Sequence, residues 1–552
     1  MRLTVMIVAT LTMASPHAQQ APDLRTRAEL SNYEETSTYD DVMRVVKGIV
    51  ATSPQARYES YGRTEEGRDM PLLIVSEPAV STPETARKLA RPVVLIQGNI
   101  HAGEVEGKEA PLMLARRLTE GELRPLLKQL VVLITPIYNA DGNERISPQH
   151  RTEQYGPVAG VGTRENAHGL DLNRDHMKLD SAEARAFVGL LNRWDPHVAL
   201  DLHTTNGSYH GFHLTYSPTL NPNADARLIG LARERLLPAM QQAVQKKHGF
   251  RTYYYGNFSP ESGTRESARV DPANPGDTVW RTFDHRPRFN NNYIGLRNRI
   301  AILSEAYSYL DFQGRVRVTE VFVEEALNAV AANASRITSL TALLDSETKA
   351  NATGTATQAL LGVDFRNAAL PSPVEILVGD VEKKLNPRSG REMLVMTDKA
   401  VAVKMKDYGV FEATRTVTVP RGWLIPRPHV ESAAFTAALD RLRWHGIQVQ
   451  RVTEPTEITV QRFVIETFTR APKPFQNHYE ARLTGKHESA KLSADQGSLF
   501  IPASQPLARL AFYLLEPESD DGLVTWNLIE TGLSPGATYP IYRVINGNLK
   551  VQ

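Results

Sequence analysis

The chain has no cysteine. That excludes thiol nucleophiles and cysteine-ligated zinc or iron–sulfur centres. It also leaves the fold without disulfides, which a chain of 552 residues does not need in order to bury a large core. An excess of either charge is missing too, with Lys+Arg 63 against Asp+Glu 62. A nucleic-acid or anionic-membrane partner therefore has no global electrostatic support, and no nucleic-acid partner is expected. No apolar run reaches the ~18 residues of a membrane span, so no transmembrane anchor is expected. Internal repeats and low-complexity blocks are absent. "AGVGTREN" carries no phosphate-binding fingerprint. "NADGNE" at 139 lacks the acidic spacing of a calcium loop and reads as a strand-end turn.

What is present is a globular composition, 41% hydrophobic and 23% charged, with a length that predicts two to four domains. The first residues, "MRLTVMIVATLTMASPHAQQAP", run from one positive charge through a short apolar core to small residues. This order predicts a signal peptide over residues 1–18, cut before Gln19, and hence an exported protein, periplasmic or extracellular. A buried N-terminal strand is the plainer alternative.

From 19 to 346 the pattern alternates between strand-like and helix-like segments. "LLIVS" at 72, "PVVLIQGN" at 92, "LVVLITPIYN" at 130, "HVALDLHTT" at 197 and "RIAILSEAY" at 299 read as strands. "GKEAPLMLARRLTE", "SAEARAFVGLLNRW", "ADARLIGLARERLLPAMQQAVQKK" and "VRVTEVFVEEALNAVAANASRITSLTALL" read as helices. The alternation predicts an α/β fold, a mixed and mostly parallel sheet with helices on both faces. Residues 347–360 are small and polar and read as a linker. From 361 to 552 short β-like segments such as "VEILVG", "EMLVMT", "AVAVKM", "TRTVTV" and "QRFVIETF" predict a β-rich accessory region. One helix, near "SAAFTAALDRLRWHG", interrupts it and should end at Gly446.

Ligands of open α/β sheets gather at the carboxyl ends of strands. There the sequence places His101 and Glu104, then His203, then Glu305, with Arg164, Asp171, Asn173 and Arg174 in a polar stretch between. Two histidines and a carboxylate make a catalytic zinc set, and a further glutamate at a neighbouring strand end is what a general base would be. Each element alone has a plainer reading. His101 and Glu104 could be a loop pair, His203 a strand-end histidine, Asp171 a turn residue and Arg174 a surface ion-pair partner. Glu305 differs, because a carboxylate on an apolar strand is costly unless it is paired or functional.

Together, "HAGE" at 101, "LDLNRD" at 170, "DLHTT" at 201 and "LSEAY" at 303 resemble, in order and spacing, the carboxypeptidase A-like zinc metallopeptidases. The resemblance covers roughly Asp23 to Ser346. It implies one zinc ion per chain held by His101, Glu104 and His203. It implies Asp171 as the carboxylate that orients a ligand imidazole, and Glu305 as the general base. It further implies Asn173 and Arg174 as the pair that holds a substrate's free C-terminal carboxylate, and Arg164 as the oxyanion arginine. Arg164 follows Thr163, where the family usually has an aromatic residue. Tyr293, near "FDHRPRFNNNY", stands as the substrate-binding candidate for the family's mobile tyrosine. Asp175 and His176 replace the family's commoner second Asn and aromatic. The implied activity is that of an exported zinc carboxypeptidase acting on peptides. Two alternatives stay open: hydrolysis of another amide, in cell-wall peptides or acylated amino acids, and an inactive binding protein on this scaffold.

Overall fold

The structure, a computed structural model, describes residues 22–205, 207–263, 266–351 and 359–552. The expected signal peptide and half of the expected linker, 352–358, lie outside these residues. Ten strands belong to the first part of the chain: β1 (Ala56–Arg63), β2 (Asp69–Val75), β3 (Val93–Gly98), β4 (Val131–Thr135), β5 (Val198–Thr205), β6 (Leu214–Pro218), β7 (Thr252–Tyr254), β8 (Asn257–Pro260), β9 (Thr278–Arg281) and β10 (Ile300–Tyr307). Eight of them form one twisted sheet in the order β1-β2-β4-β3-β5-β10-β6-β7. Its centre, β4-β3-β5-β10, is parallel, and β1, β2 and β6 join antiparallel at the flanks.

β3, β4 and β5 are buried along their whole length, and β10 everywhere but at Glu305, because both faces are covered. Side chains alternate between two cores, as a period of two requires. Val94, Ile96, Leu200 and Ile302 pack with Leu112 and Val318, which lie on the helices Glu106–Thr119 and Phe312–Ala332. Leu95, Ala199 and Ala301 face the other way, onto the helix Ala182–Trp194. That second core does not stop at the helix. It continues into Trp423, Phe463, Leu510 and Trp526 of the last third of the chain. One face of the sheet is thus covered by helices, and the other by a helix plus the C-terminal third.

That third is β-rich. It holds a six-stranded sheet, a pair Leu360–Ala368 with Val410–Thr418, and a pair Val374–Leu385 with Glu392–Met405. "EMLVMT" and "AVAVKM", which read as two strands, form the single strand Glu392–Met405. The helix Thr436–His445 does end at Gly446, in the left-handed conformation that glycine tolerates. The long periodic stretch after Arg315 breaks at Asn333 into two helices, Phe312–Ala332 and Ala334–Asn351. The short strand Asp407–Tyr408 pairs in parallel with β9, so the C-terminal third is stitched by backbone bonds to the first part of the chain.

Candidate metal centre and adjoining cleft

β3 ends at Gly98 because nothing larger fits. A Cβ there would lie 1.7 Å from the carbonyl oxygen of Gly107, in the first turn of the following helix. This close approach turns the chain so that His101 and Glu104 lie at the sheet's carboxyl edge, tied by the bond from Glu104 N–H to His101 O, 2.9 Å. β5 brings His203 to the same edge. The parallel register sets Glu305 of β10 directly opposite His203.

The donor atoms of His101, Glu104 and His203 converge, all within 4.8 Å of one another, and the three residues are buried. Nδ1 of His101 lies 3.0 Å from Glu104 Oε1, and Nδ1 of His203 lies 2.8 Å from Glu104 Oε2. The outer nitrogens point at other carboxylates. His101 Nε2 is 3.0 Å from Asp171 Oδ1, and His203 Nε2 is 3.0 Å from Asp201 Oδ2 and 3.3 Å from Asn173 Nδ2. A carboxylate behind an imidazole favours the proton on that outer nitrogen and frees the inner one to bind a cation. The electrostatics agree. Burial opposes charge on Glu104, but His101, Arg151 and His203 outweigh it and hold the carboxyl well below its usual range. Burial likewise opposes charge on His203, and Asp201 and Glu104 outweigh it, so the surroundings of this ring favour positive charge there, from a proton or from a bound cation. The donor set, its burial and its surplus of carboxylates fit a zinc ion.

A cleft of about 220 Å³ opens beside these residues, lined also by Arg151, Arg164, Asn173, Arg174 and Glu305. Burial, with Glu104 adding to it and His203 opposing it, pushes the Glu305 carboxyl up to about 8. Arg164 Nε donates to Asp171 Oδ2 at 3.0 Å, and its Nη1 is 3.8 Å from Glu104 Oε1. Arg174 stacks on Phe289, its guanidinium carbon 3.9 Å from the ring centre. Asn173 is fixed from behind, its Oδ1 accepting from Asn290 N–H at 2.9 Å.

The structure therefore gathers His101, Glu104, His203, Glu305, Arg164, Asn173, Arg174 and, behind His101, Asp171. It does not bring Tyr293 there. The "NNNY" segment forms the buried helix Asn290–Gly295, and the Tyr293 hydroxyl meets His445 Nδ1 at 2.8 Å inside the second core. The tyrosine that lines the cleft is Tyr255, just after β7. Its phenol is pushed up by burial and by nearby Glu305. Three further residues escaped sequence reasoning. Arg151 Nη1 donates to Glu104 Oε1 at 2.8 Å. Asp201 backs His203, two residues away on the same strand face, and that spacing was a readable signal. Gln476, on a hairpin of the C-terminal third, accepts the Asp171 N–H at 2.9 Å. No local pattern announces a contact across 305 positions.

One other histidine–carboxylate trio occurs among the described residues, His248, Glu324 and Glu325. Its acids are already neutralised. Lys247 bonds both oxygens of Glu325 at 2.9 and 3.0 Å, and Arg117 bonds Glu324 at 2.7 Å.

Converging imidazoles and a carboxylate, a second carboxylate in register and arginines around a cleft are the makings of a metal-dependent hydrolase. Residues 42–192 match the family model described as zinc carboxypeptidase, a stretch that holds His101, Glu104, Arg164, Asp171, Asn173 and Arg174. Carboxypeptidase 2 of Trichophyton rubrum is 22% identical over 90% of this chain and 84% of its own. Carboxypeptidase Z of Mus musculus is 34% identical over 26% of this chain and 22% of its own. Among solved structures, a metallo-carboxypeptidase from Burkholderia cenocepacia matches 53% of this chain and 68% of its own at 18% identity, TM-score 0.37. Residues 42–192 thus match a zinc carboxypeptidase domain, and this match together with the carboxypeptidase relatives supports a zinc-dependent metallopeptidase of the carboxypeptidase type.

Proposed function

We propose that this protein is an exported exopeptidase that removes the C-terminal residue of peptides with a free carboxylate. The observation that carries this reading is the register of β10 on β5. It sets a glutamate with a raised pKa against a buried His–Glu–His set, with arginines lining the same cleft.

His101, Glu104 and His203 would hold zinc, which supplies a Lewis acid for the scissile carbonyl and an acidified water. Glu305 takes the proton of the attacking water and passes it to the leaving amine; a carboxyl that binds protons tightly is suited to both halves. Arg164 faces the cleft near Glu104 and stabilises the developing oxyanion. Arg174 and Asn173 hold the substrate carboxylate; a planar guanidinium can bond both of its oxygens. Asp171 and Asp201 fix the imidazoles. The apolar N-terminal run supports export, and no helix among the described residues is long and apolar enough to cross a membrane.

The test is one peptide in two forms, free acid and C-terminal amide, given to protein of measured zinc content. The wild type should contain about one zinc per chain and cleave the acid form in strong preference. His203→Ala should lose most of its zinc and its activity. Equal cleavage of both forms would refute the exopeptidase reading and favour another amide substrate. Full zinc occupancy in His203→Ala would refute the ligand assignment. Sequencing of exported material should begin near Gln19.

A further inference from the structure

The catalytic cleft opens onto a larger space. A chamber of about 600 Å³ adjoins it and shares Asn257, Glu266 and Phe283 with it. Its near wall is the segment after β9. Its far wall comes from the C-terminal third, through Val363, Phe365, Asn367 and Phe411 among others.

The charges around this chamber are matched internally. Arg281 donates to Ser259 Oγ at 3.0 Å and to Asn367 Oδ1 at 2.8 Å. Arg286 Nε donates to Asp284 at 2.7 Å. Asp364 receives Arg415 at 2.7 Å, and Asp520 receives the Tyr513 hydroxyl at 2.7 Å and faces His285 Nε2 at 3.1 Å. Glu266 accepts from Asn257 at 3.0 Å. Of the charged groups on the wall, Arg482 alone has neither a side-chain hydrogen bond nor an ion pair among the described residues, and it is exposed.

What this wall offers a ligand is aromatic surface. The His285 ring lies between Phe365 and Phe411, with ring centres at 4.5 and 4.7 Å. Phe283 stands at the doorway, 5.4 Å from Tyr255 on one side and 5.4 Å from Phe289 on the other. Such rings pair well with another ring or a large apolar group, by contact area and by edge or offset stacking.

We infer that the chamber is a recognition site for the part of the peptide that precedes the released residue, and that it selects an aromatic side chain there. This rests on the carboxypeptidase reading. With the terminal carboxylate on Arg174 and the scissile bond beside Glu305, one residue occupies the small cleft. The rest of the chain must continue through an adjoining space, and the chamber shares the cleft's wall. The C-terminal third, which supplies no metal ligand, thereby sets substrate choice.

The test uses peptides with one fixed C-terminal residue. In each, Phe or Gly is placed at the residue before the scissile bond or at the one before that, and an N-acetylated dipeptide with Gly before the scissile bond serves as the minimal substrate. The wild type should cleave the peptide with Phe at one of these positions about tenfold better by kcat/KM than its Gly counterpart, a normal contribution from one pocket. Phe411→Ala should bring that ratio close to one while leaving the minimal substrate's rate unchanged. Phe411→Leu, which preserves packing, should keep part of the preference. The inference is overturned if Phe411→Ala keeps the full preference, or if it slows all substrates equally. It also falls if the wild type hydrolyses the minimal substrate and shows no preference, an outcome that leaves the carboxypeptidase reading intact. A zinc-loaded wild type that hydrolyses none of the peptides refutes that reading and the chamber's role with it.

Discussion

The first part of the chain and its C-terminal third share one continuous core, yet they handle charge in opposite ways. At the carboxyl edge of the sheet, His101, Glu104, His203 and Asp171 are buried close together, with carboxylates crowding the imidazoles. In the C-terminal third, buried charge is mostly matched pair by pair, with Asp407 at the seam as the exception. Glu516, for example, accepts from both Arg543 and the Trp423 indole, and each partner is buried. Burying ions close together costs stability unless partners or a bound cation compensate. The sheet edge bears that cost where chemistry is to be done. The C-terminal third, Asp407 apart, avoids it and contributes shape: a chamber wall, and a hairpin whose Gln476 touches the loop beneath the cleft.

If this division holds, variants on the two sides should fail differently. The largest effect belongs to the sheet. Glu305→Gln preserves size and removes proton transfer, so turnover should fall at least ~100-fold, with zinc content and KM little changed. The pH profile sharpens the point. Only ionised Glu305 can accept the water's proton, so kcat/KM should rise with pH as the carboxyl ionises. Burial raises this carboxyl to about 8 from an ordinary 4.5, and a cation at the trio would lower it. The rising limb should therefore fall between those values and vanish from the residual activity of Glu305→Gln. A fully active variant would place the base elsewhere.

A smaller effect should cross from one region to the other. Arg174→Ala removes a charged partner of the substrate and should lower kcat/KM by about 2–3 kcal/mol, erasing the preference for a free carboxylate. Gln476→Ala removes only a neutral hydrogen bond to Asp171 N–H, so about 1 kcal/mol in the same direction is expected. Gln476 sits at a non-glycine positive φ of 49° and Asn477 at 65°, a conformation that costs free energy and is held by the hairpin around it. Unchanged kinetics in Gln476→Ala would confine the C-terminal third to the chamber. An effect as large as that of Arg174→Ala would blur the division altogether.

The same division separates the features that were legible in the sequence from those that were not. The α/β class and the central strands could be read because a buried parallel strand is a run of apolar residues. The residues at the carboxyl ends of those strands could be read because they are the next few in the chain. The spacing of His101 and Glu104, and the glutamate inside "AILSEAY", survive in the sequence as anomalies. Tyr293 misled for a local reason as well. It stands in "FDHRPRFNNNY", where the family's mobile tyrosine is sought, whereas the asparagines bond inward to backbone and to Gln97 and the segment forms a buried helix. Arg151 lies in an irregular segment, and its bond to Glu104 spans 47 positions. Phe411 and Gln476 belong to strands and turns with ordinary local patterns. Their roles arise only when the C-terminal third docks, and period-two or period-3.6 arguments carry no information about docking.

The seam between the regions offers the gentlest test, because it should affect stability and leave catalysis alone. Asp407 begins the short strand that pairs with β9. It is completely buried, and among the described residues neither carboxylate oxygen has a hydrogen-bond partner and only Arg233 offers a favourable charge nearby. Burial therefore outweighs Arg233 and pushes its carboxyl up to about 6 from an ordinary 3.8. The folded state binds this proton more tightly than the unfolded chain does. The carboxyl therefore begins to destabilise the fold as pH rises past 3.8, and the loss is complete above about 6. At 1.36 kcal/mol per unit the ceiling is about 3 kcal/mol, and relaxation around the charge brings the expected effect to about 1–2 kcal/mol. Asp407→Asn removes the ionisation. It should unfold in urea together with the wild type near pH 4, pull ahead between pH 4 and 6, and keep a constant advantage at pH 7 and 8 with unaltered kcat/KM. A variant less stable at every pH would mean that the carboxylate holds the seam together.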